Sequence, residues 1–247
     1  MRTLKFSDVI HGVAQLAGLD RDNLPSPFFK QVRDLAEQRL RIAWETEYWP
    51  STLRTVERTV TTASDVSSMA YPTDAGEVLE VYSKNPKATT IGKSIGFVLH
   101  DDGTDSDTNS GRSVVVYTTT SPLFMEYRTI SPELKGDLYN NNTDYGVGDQ
   151  VYYTGTGCFY EMTTDAGAGT APANAAGVTN GNWKKVAVPK IFEPYLIRGV
   201  YADYLRSNGQ LELAMAEDRN AEGMLGIEAD KLYRQQGQVR RTSVIGY

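Results

Sequence analysis

The fold of this chain is decided by two adjacent segments, KIFEPYLIRGVYADYLRSN at residues 190–208 and QLELAMAEDRNAEGMLGIEADKLYRQQ at residues 210–236. Both are predicted to be helices, because the first repeats large apolar side chains at helical spacing and the second is rich in Ala, Leu, Met and Glu. The stripe of the first helix consists of Ile191, Tyr195, Leu196, Val200, Tyr204 and Leu205. Neither stripe resembles a catalytic centre. The pattern indicates part of an assembly, in which other surfaces cover these helices.

The last eleven residues, GQVRRTSVIGY at 237–247, contain too few apolar residues to fold alone. We predict an extended C-terminal arm over 237–247 that becomes ordered when it docks on another protein. Its contact residues would be apolar anchors and two arginines that pair with acidic groups, namely Val239, Arg240, Arg241, Val244, Ile245 and Tyr247.

Two further helices are predicted within residues 1–50. Ser7 is expected to cap the first, and Ser26 followed by Pro27 is expected to begin the second, since Ser accepts hydrogen bonds from backbone amides and Pro fits the first helical position. The second helix is amphipathic and should continue to Trp49, because Pro50 keeps the residue before it out of the helical region.

Residues 51–143 change to a composition typical of strands, with alternating runs such as 78–82 and 113–117 separated by Gly, Pro and Asn. The polar segment 101–111 is predicted to be a hairpin loop. A second change, at 144–188, brings Gly, Ala and Tyr together with three short strand patterns, which predicts a small inserted β module.

The predicted architecture is therefore α+β. Residues 1–50 and 189–236 would pack as a helical bundle, with a central antiparallel β domain at 51–143, the inserted module at 144–188 and the arm at 237–247. This organisation places the helices from both ends of the chain together and the β-type sequence between them.

Composition limits the classes of function. The 247 residues include 25 Lys and Arg against 31 Asp and Glu, a formal charge of −6, which argues against binding of the DNA backbone as the main role. The single cysteine, Cys158, excludes an intramolecular disulfide. Without an apolar run of about eighteen residues or a secretion signal, we expect synthesis in the cytoplasm and no membrane partner.

The candidate phosphate-binding and calcium-binding motifs lack residues at positions that their spacing requires. Gly92–Ser94 looks like the end of a phosphate-binding loop, but Lys87 stands where the cradle needs a glycine. The acidic loop offers calcium-loop spacing at Asp105, Asp107 and Asn109, but Val116 replaces the bidentate glutamate. We therefore expect no catalytic residues, no metal, no cofactor and no enzymatic activity.

One pattern within the inserted module is similar to small chitin- and cellulose-type carbohydrate-binding modules. It consists of Tyr145, Gly148, Asp149, Val151, Tyr153, Gly155, Tyr160 and Trp183. This resemblance implies that Tyr145, Tyr153 and Trp183 stack on sugar rings. The alternative is structural, because aromatic residues at alternating strand positions are more often part of a core than a binding platform.

A wider resemblance comes from both ends of the chain. The first segment that carries it is ADYLRSNGQ at 202–210, which continues through Ala214, Ala216 and Ala221 to EADKL at 228–232. The second is residues 6–49, in which Arg39, Trp44, Glu45 and Trp49 close the long helix. The third is the strand segment SPLFMEYR at 121–128. Together these segments resemble head-to-tail connector (adaptor) proteins of tailed bacteriophages. An unrelated α+β protein remains the alternative.

The resemblance implies a homo-oligomeric ring, usually dodecameric, in the neck of the virion. One face would dock beneath the portal protein through the C-terminal arm, the other would meet tail or nozzle proteins, and DNA would only pass through the channel. Charges of both signs along the last helix suit pairing with the next subunit of a ring, since head-to-tail contacts close on themselves. A carbohydrate-binding surface or decoration protein is the alternative function.

Overall fold

The computed structural model describes residues 2–21, 24–63, 66–88, 92–103, 111–174 and 176–244. The described residues form an α+β structure, as predicted, with four α-helices and three sheets. The helices are α1 (Phe6–Leu16), α2 (Ser26–Thr46), α3 (Glu193–Ser207) and α4 (Leu211–Val244). The strands are β1 (Leu53–Arg58), β2 (Thr61–Ala63), β3 (Val66–Ala70), β4 (Ala75–Tyr82), β5 (Phe97–Asp101), β6 (Arg112–Val116), β7 (Leu123–Thr129), β8 (Asp137–Leu138), β9 (Gln150–Tyr153), β10 (Cys158–Met162) and β11 (Trp183–Lys185).

The chain divides into two compact units, one of Met1–Glu47 with Pro132–Tyr247 and the other of Tyr48–Ser131. This division differs from the predicted boundary at 143/144. Residues 132–143 belong with the later strands because β8 pairs in parallel with β9 and the Tyr139 amide donates to the Tyr152 carbonyl at 2.9 Å. A parallel pairing across a loop leaves no local signature in sequence, so the predicted module began too late.

The Tyr48–Ser131 unit contains two antiparallel sheets, ordered β1-β7-β4 and β2-β3-β6-β5. Alternate residues of β6 and β7 point inward, as the strand period requires. One apolar cluster joins both sheets and consists of Met69, Tyr71, Ala75, Val78, Val81, Val114, Val116, Leu123, Met125 and Tyr127. The predicted hairpin is confirmed by the pairing of Asp101 with Arg112, although 104–110 lie outside the described residues.

The third sheet, ordered β11-β10-β9-β8 and called the module sheet below, uses both faces. One face packs its own core of Val151, Cys158, Tyr160, Met162, Ala173 and Trp183. On the other face, Phe159 lies 4.8 Å from Phe6 of α1 and Tyr152 lies 5.0 Å from Phe29 of α2, measured between ring centroids. The sheet is thereby packed directly against the helices.

Helix α3 contacts each of the other three helices. Close approach of α1 is possible at Gly12, where a Cβ would come within 2.8 Å of the Ile197 side chain. Three predictions at the helix ends are wrong. The residue preceding α1 is Lys5, with no side-chain cap from Ser7. Ser26 is the first residue of α2 and not its cap, because Pro25 precedes the helix, and α2 ends at Thr46, before Trp49.

The last helix extends beyond its predicted end at Gln236. The backbone of residues 237–244 continues α4, so this part of the predicted arm is helical and not extended. Gln and Arg are good helix formers, and adding a residue to an existing helix requires no new nucleation. Ile245 and Tyr247 lie outside the described residues.

Candidate functional site

The surface of α4 is the strongest candidate for a functional site, because α3 covers only one side of it. Between residues 211 and 234, where side-chain burial is described, the buried residues of α4 are Ala214, Ala221, Leu225, Ala229 and Leu232. Three of these five are alanines, whose small side chains let α3 and α4 pack closely. Arg198 of α3 adds an ion pair of 2.9 Å to Glu217 of α4. One flank of α4 is thus fixed by this chain alone.

Beside this covered flank, α4 exposes large apolar side chains. Leu213 is 58%, Met224 39% and Ile227 52% exposed. Ile227 follows buried Leu225 by two residues and therefore lies about 200° further round the helix. We call Leu213, Met224 and Ile227 the apolar ridge. The ridge is exposed in this chain, so only contact with another molecule would bury it. Large exposed apolar groups on one side of a helix mark interaction surfaces.

Glycines interrupt α4 beside this ridge. A Cβ added at Gly223 or at Gly226 would meet no atom within 4 Å. Glycine in a helix interior costs about 1 kcal/mol relative to alanine, and no contact within the described residues requires it at these positions. The absence of side chains leaves open space along the helix at both positions.

A groove lies on the side of α4 that faces away from the apolar ridge, where the helix passes the end of α2. It has a volume of about 420 Å³ and is lined by Arg39, Ile42, Thr46, Glu47, Tyr195, Glu222, Leu225, Gly226 and Ala229. Ile42 at its edge is 57% exposed. The Tyr233 hydroxyl donates a hydrogen bond to Glu47, one of the lining residues, at 2.6 Å. The groove therefore combines an apolar floor with acidic groups at its rim.

A four-membered charge network beneath the groove holds three helices together. Arg39 of α2 donates through Nε and Nη2 to both carboxylate oxygens of Asp203 in α3, at 2.6 and 2.7 Å. Its Nη1 lies 2.7 Å from Asp218 of α4, and Arg206 contacts Asp203 and Asp218 at 2.5 Å each. Each arginine bridges both aspartates, so the network fixes α2, α3 and α4 relative to one another.

The electrostatics of this network follow from its pairing. Hydrogen bonds to Asp203 raise the pKa of Arg39 against the opposing effect of burial. Burial acts to raise the pKa of Asp218, but hydrogen bonds and charge attraction from Arg206 and Arg39 outweigh it and lower that pKa. Both groups are therefore held in their charged forms. The arrangement serves to position helices.

The residues predicted to stack on sugars are brought together, but as a core. Trp183 is only 3% exposed, and its Nε1 donates to the Thr170 carbonyl at 3.1 Å. The rings of Tyr145 and Tyr153 pack on Tyr139 at centroid distances of 5.7 and 5.6 Å. A buried indole has no free face for a sugar ring, which favours the structural alternative for Trp183. Alternating aromatics are the core pattern here.

The predicted arm residues fall partly within α4 and partly outside the described residues. Val239, Arg240, Arg241 and Val244 belong to the last turns of α4, while Ile245 and Tyr247 lie outside the part of the chain that the structure describes. The calcium-spaced Asp105, Asp107 and Asn109 also lie outside it. Sequence reasoning missed the groove and the role of Arg39. The available signal was a cation among the apolar positions Ala36, Leu40 and Ala43 of an amphipathic helix.

Comparisons with known proteins identify no relative: no protein-family model and no curated protein matches the sequence. Among the described helices, none has the length and apolar character needed to cross a membrane. Within the same described residues, no group of three or more His, Cys, Asp or Glu side chains is arranged to hold a metal ion.

Proposed function

We propose that this chain is the subunit of a ring-shaped connector that joins the portal of a tailed-bacteriophage head to the tail and continues the DNA channel. The observation that carries the proposal is the apolar ridge of α4, whose three large apolar side chains are left exposed by this chain. Burial of apolar surface contributes about 25 cal/mol per Å², so a neighbouring chain that covers the ridge gains association energy.

The helical part of the chain suits a ring wall. In this proposal α1, α2, α3 and α4 form the bundle of each subunit, and the network around Arg39 keeps the angle between α2, α3 and α4 constant from copy to copy. A fixed angle matters because a head-to-tail contact closes into a ring only if every copy repeats the same rotation.

The channel role agrees with the overall charge. A formal charge of −6 gives little attraction for the DNA backbone, so a duplex inside the ring can slide without being held. The last turns of α4 and the residues after them would carry the portal contact, through Val239, Arg240, Arg241, Val244, Ile245 and Tyr247. The remaining face would meet tail or nozzle proteins.

The test combines electron microscopy of the purified chain with sedimentation against portal assemblies of the same phage. We expect rings of uniform diameter that co-sediment with portals, and a chain truncated after Gln236 that still forms rings but loses portal binding. The matched control is Arg2→Ala with Lys5→Ala, which removes two positive charges at the other end of the chain. Normal portal binding by the truncated chain contradicts the arm, and absence of the protein from purified virions contradicts the connector role.

A further inference from the structure

The two flanks of α4 form a complementary pair of surfaces. Along the helix, Met224 and Ile227 of the apolar ridge stand on either side of Leu225 and Gly226 of the groove. Positions two residues apart on a helix lie about 200° apart, so ridge and groove face nearly opposite directions. A subunit with different surfaces on opposite sides is what a head-to-tail contact requires, whereas a two-fold dimer uses the same surface twice.

We infer that the apolar ridge of one copy inserts into the groove of the next copy, and that this contact builds the ring. The inference rests on the proposed function for the closure of the ring, while the contact itself is defined by Leu213, Met224 and Ile227 on one side and the groove on the other. The occupant of the groove is therefore a second copy of this chain.

Size and shape support this occupant. The groove volume of about 420 Å³ falls within the range of about 300–1,000 Å³ typical of sites that enclose a ligand. Its floor is formed by Leu225, Gly226 and Ala229, and the missing side chain at Gly226 leaves room directly on the helix. Aliphatic side chains such as Met224 and Ile227 can enter this space without displacing a hydrogen-bonded group.

Charge supports the same partner. The rim of the groove carries the carboxylates of Glu47 and Glu222. Lys231 follows Ile227 by four residues and so lies on the ridge side of α4, where its side chain is 57% exposed and pairs with Glu228 at 2.6 Å. When the ridge enters the groove of the next copy, a cation at the ridge end approaches an acidic rim. Such complementarity orients two copies and disfavours other pairings.

The experiment uses one variant for each surface. Gly226→Leu fills the groove while keeping the ridge, and it should not impair folding because leucine favours a helix interior over glycine. Ile227→Glu places a charge on the ridge and leaves the groove intact. Val147→Glu is the matched control, since Val147 is also an exposed aliphatic residue but lies outside both surfaces. Thermal unfolding followed by circular dichroism verifies that every variant is folded.

Sedimentation velocity and native mass spectrometry give the readout. We expect each surface variant to weaken self-association by about 10- to 100-fold, the effect of losing a central apolar contact, and the control to assemble like the unmodified chain. Mixing Gly226→Leu with Ile227→Glu should yield dimers and no rings, because only one intact ridge and one intact groove then meet.

Four results would overturn the inference. A Gly226→Leu chain that assembles normally would leave the groove without a role, and two-fold dimers lost only in Ile227→Glu would show ridge-to-ridge packing instead. An unmodified chain that stays monomeric at all concentrations, or a groove that binds only a different protein, would exclude a second copy. Failure of the proposed function gives a different result: rings form through these residues but do not bind portals.

Discussion

Arg39 and Asp203 form a two-pronged ion pair, with nitrogen–oxygen distances of 2.6 and 2.7 Å, that ties α2 to α3 across 164 positions of sequence. The guanidinium passes α3 at Gly199, where a Cβ would come within 3.2 Å of the Arg39 side chain. Glycine at this position therefore allows the arginine to reach its partner. The pair is the centre of the charge network, and its removal has a specific consequence.

Asp203→Asn should lower the free energy of unfolding by about 2 kcal/mol, below the roughly 3–5 kcal/mol for a fully buried pair, because Arg39 keeps Asp218 as a partner. Chemical denaturation measures the change. The matched control is Lys135→Gln, which removes an exposed pair with Glu133 and should change stability by less than about 0.5 kcal/mol. Equal losses in the free energy of unfolding would show that the network stabilises the fold no more than an exposed ion pair does.

The depressed pKa of Asp218 predicts loss of stability in acid. A carboxyl whose pKa is lower in the folded chain stabilises it fully above about pH 5 and progressively less as the pH falls below the ordinary value of 3.8. In the Asp218→Asn variant, the free energy of unfolding should therefore fall less steeply as the pH decreases in the acid range. Asp137 and Asp101, whose pKa values are also lowered, keep the remaining slope. An unchanged slope in the variant would disprove the coupling.

Gly157→Ala tests the junction between the module sheet and α1. Gly157 has a φ of +69°, its carbonyl accepts from the Ser7 amide at 3.1 Å, and a Cβ at this position would collide with the Ser7 side chain. We expect a loss of about 2–3 kcal/mol from backbone strain and the displaced contact. Gly181→Ala should be nearly neutral, since its Cβ would meet no atom within 4 Å. Similar melting temperatures for both variants would contradict the close approach.

Trp183→Phe should destabilise the module sheet by about 2–3 kcal/mol, because it leaves a gap and deprives the Thr170 carbonyl of its donor. Differential scanning calorimetry measures the loss. Because the indole is buried, the unmodified protein should show no shift of tryptophan emission with soluble polysaccharides and no retention on insoluble chitin or cellulose. Retention that disappears in Tyr145→Ala would restore a sugar-binding role.

Local pattern was enough to predict the α+β class and much of the secondary structure. The helical spacing of Tyr195, Leu196 and Val200 predicted α3, and the runs at 78–82 and 113–117 lie within or overlap β4 and β6. These predictions succeeded because side-chain periodicity is a property of neighbouring residues. The predicted Ser7 cap of α1 shows the limit, since the Ser7 amide instead donates to the carbonyl of Gly157, in the turn between β9 and β10, which is distant in sequence.

The sequence by itself determined which segments become helices and strands, and which side chains need cover. Only the tertiary structure decided the face that each side chain occupies: Trp183 turned inward, Arg39 reached Asp203, and α4 kept one apolar flank uncovered while forming a groove on the other. The physical reason is that periodicity is set within a few residues along the chain, whereas burial and ion pairing depend on groups that folding brings together from distant positions.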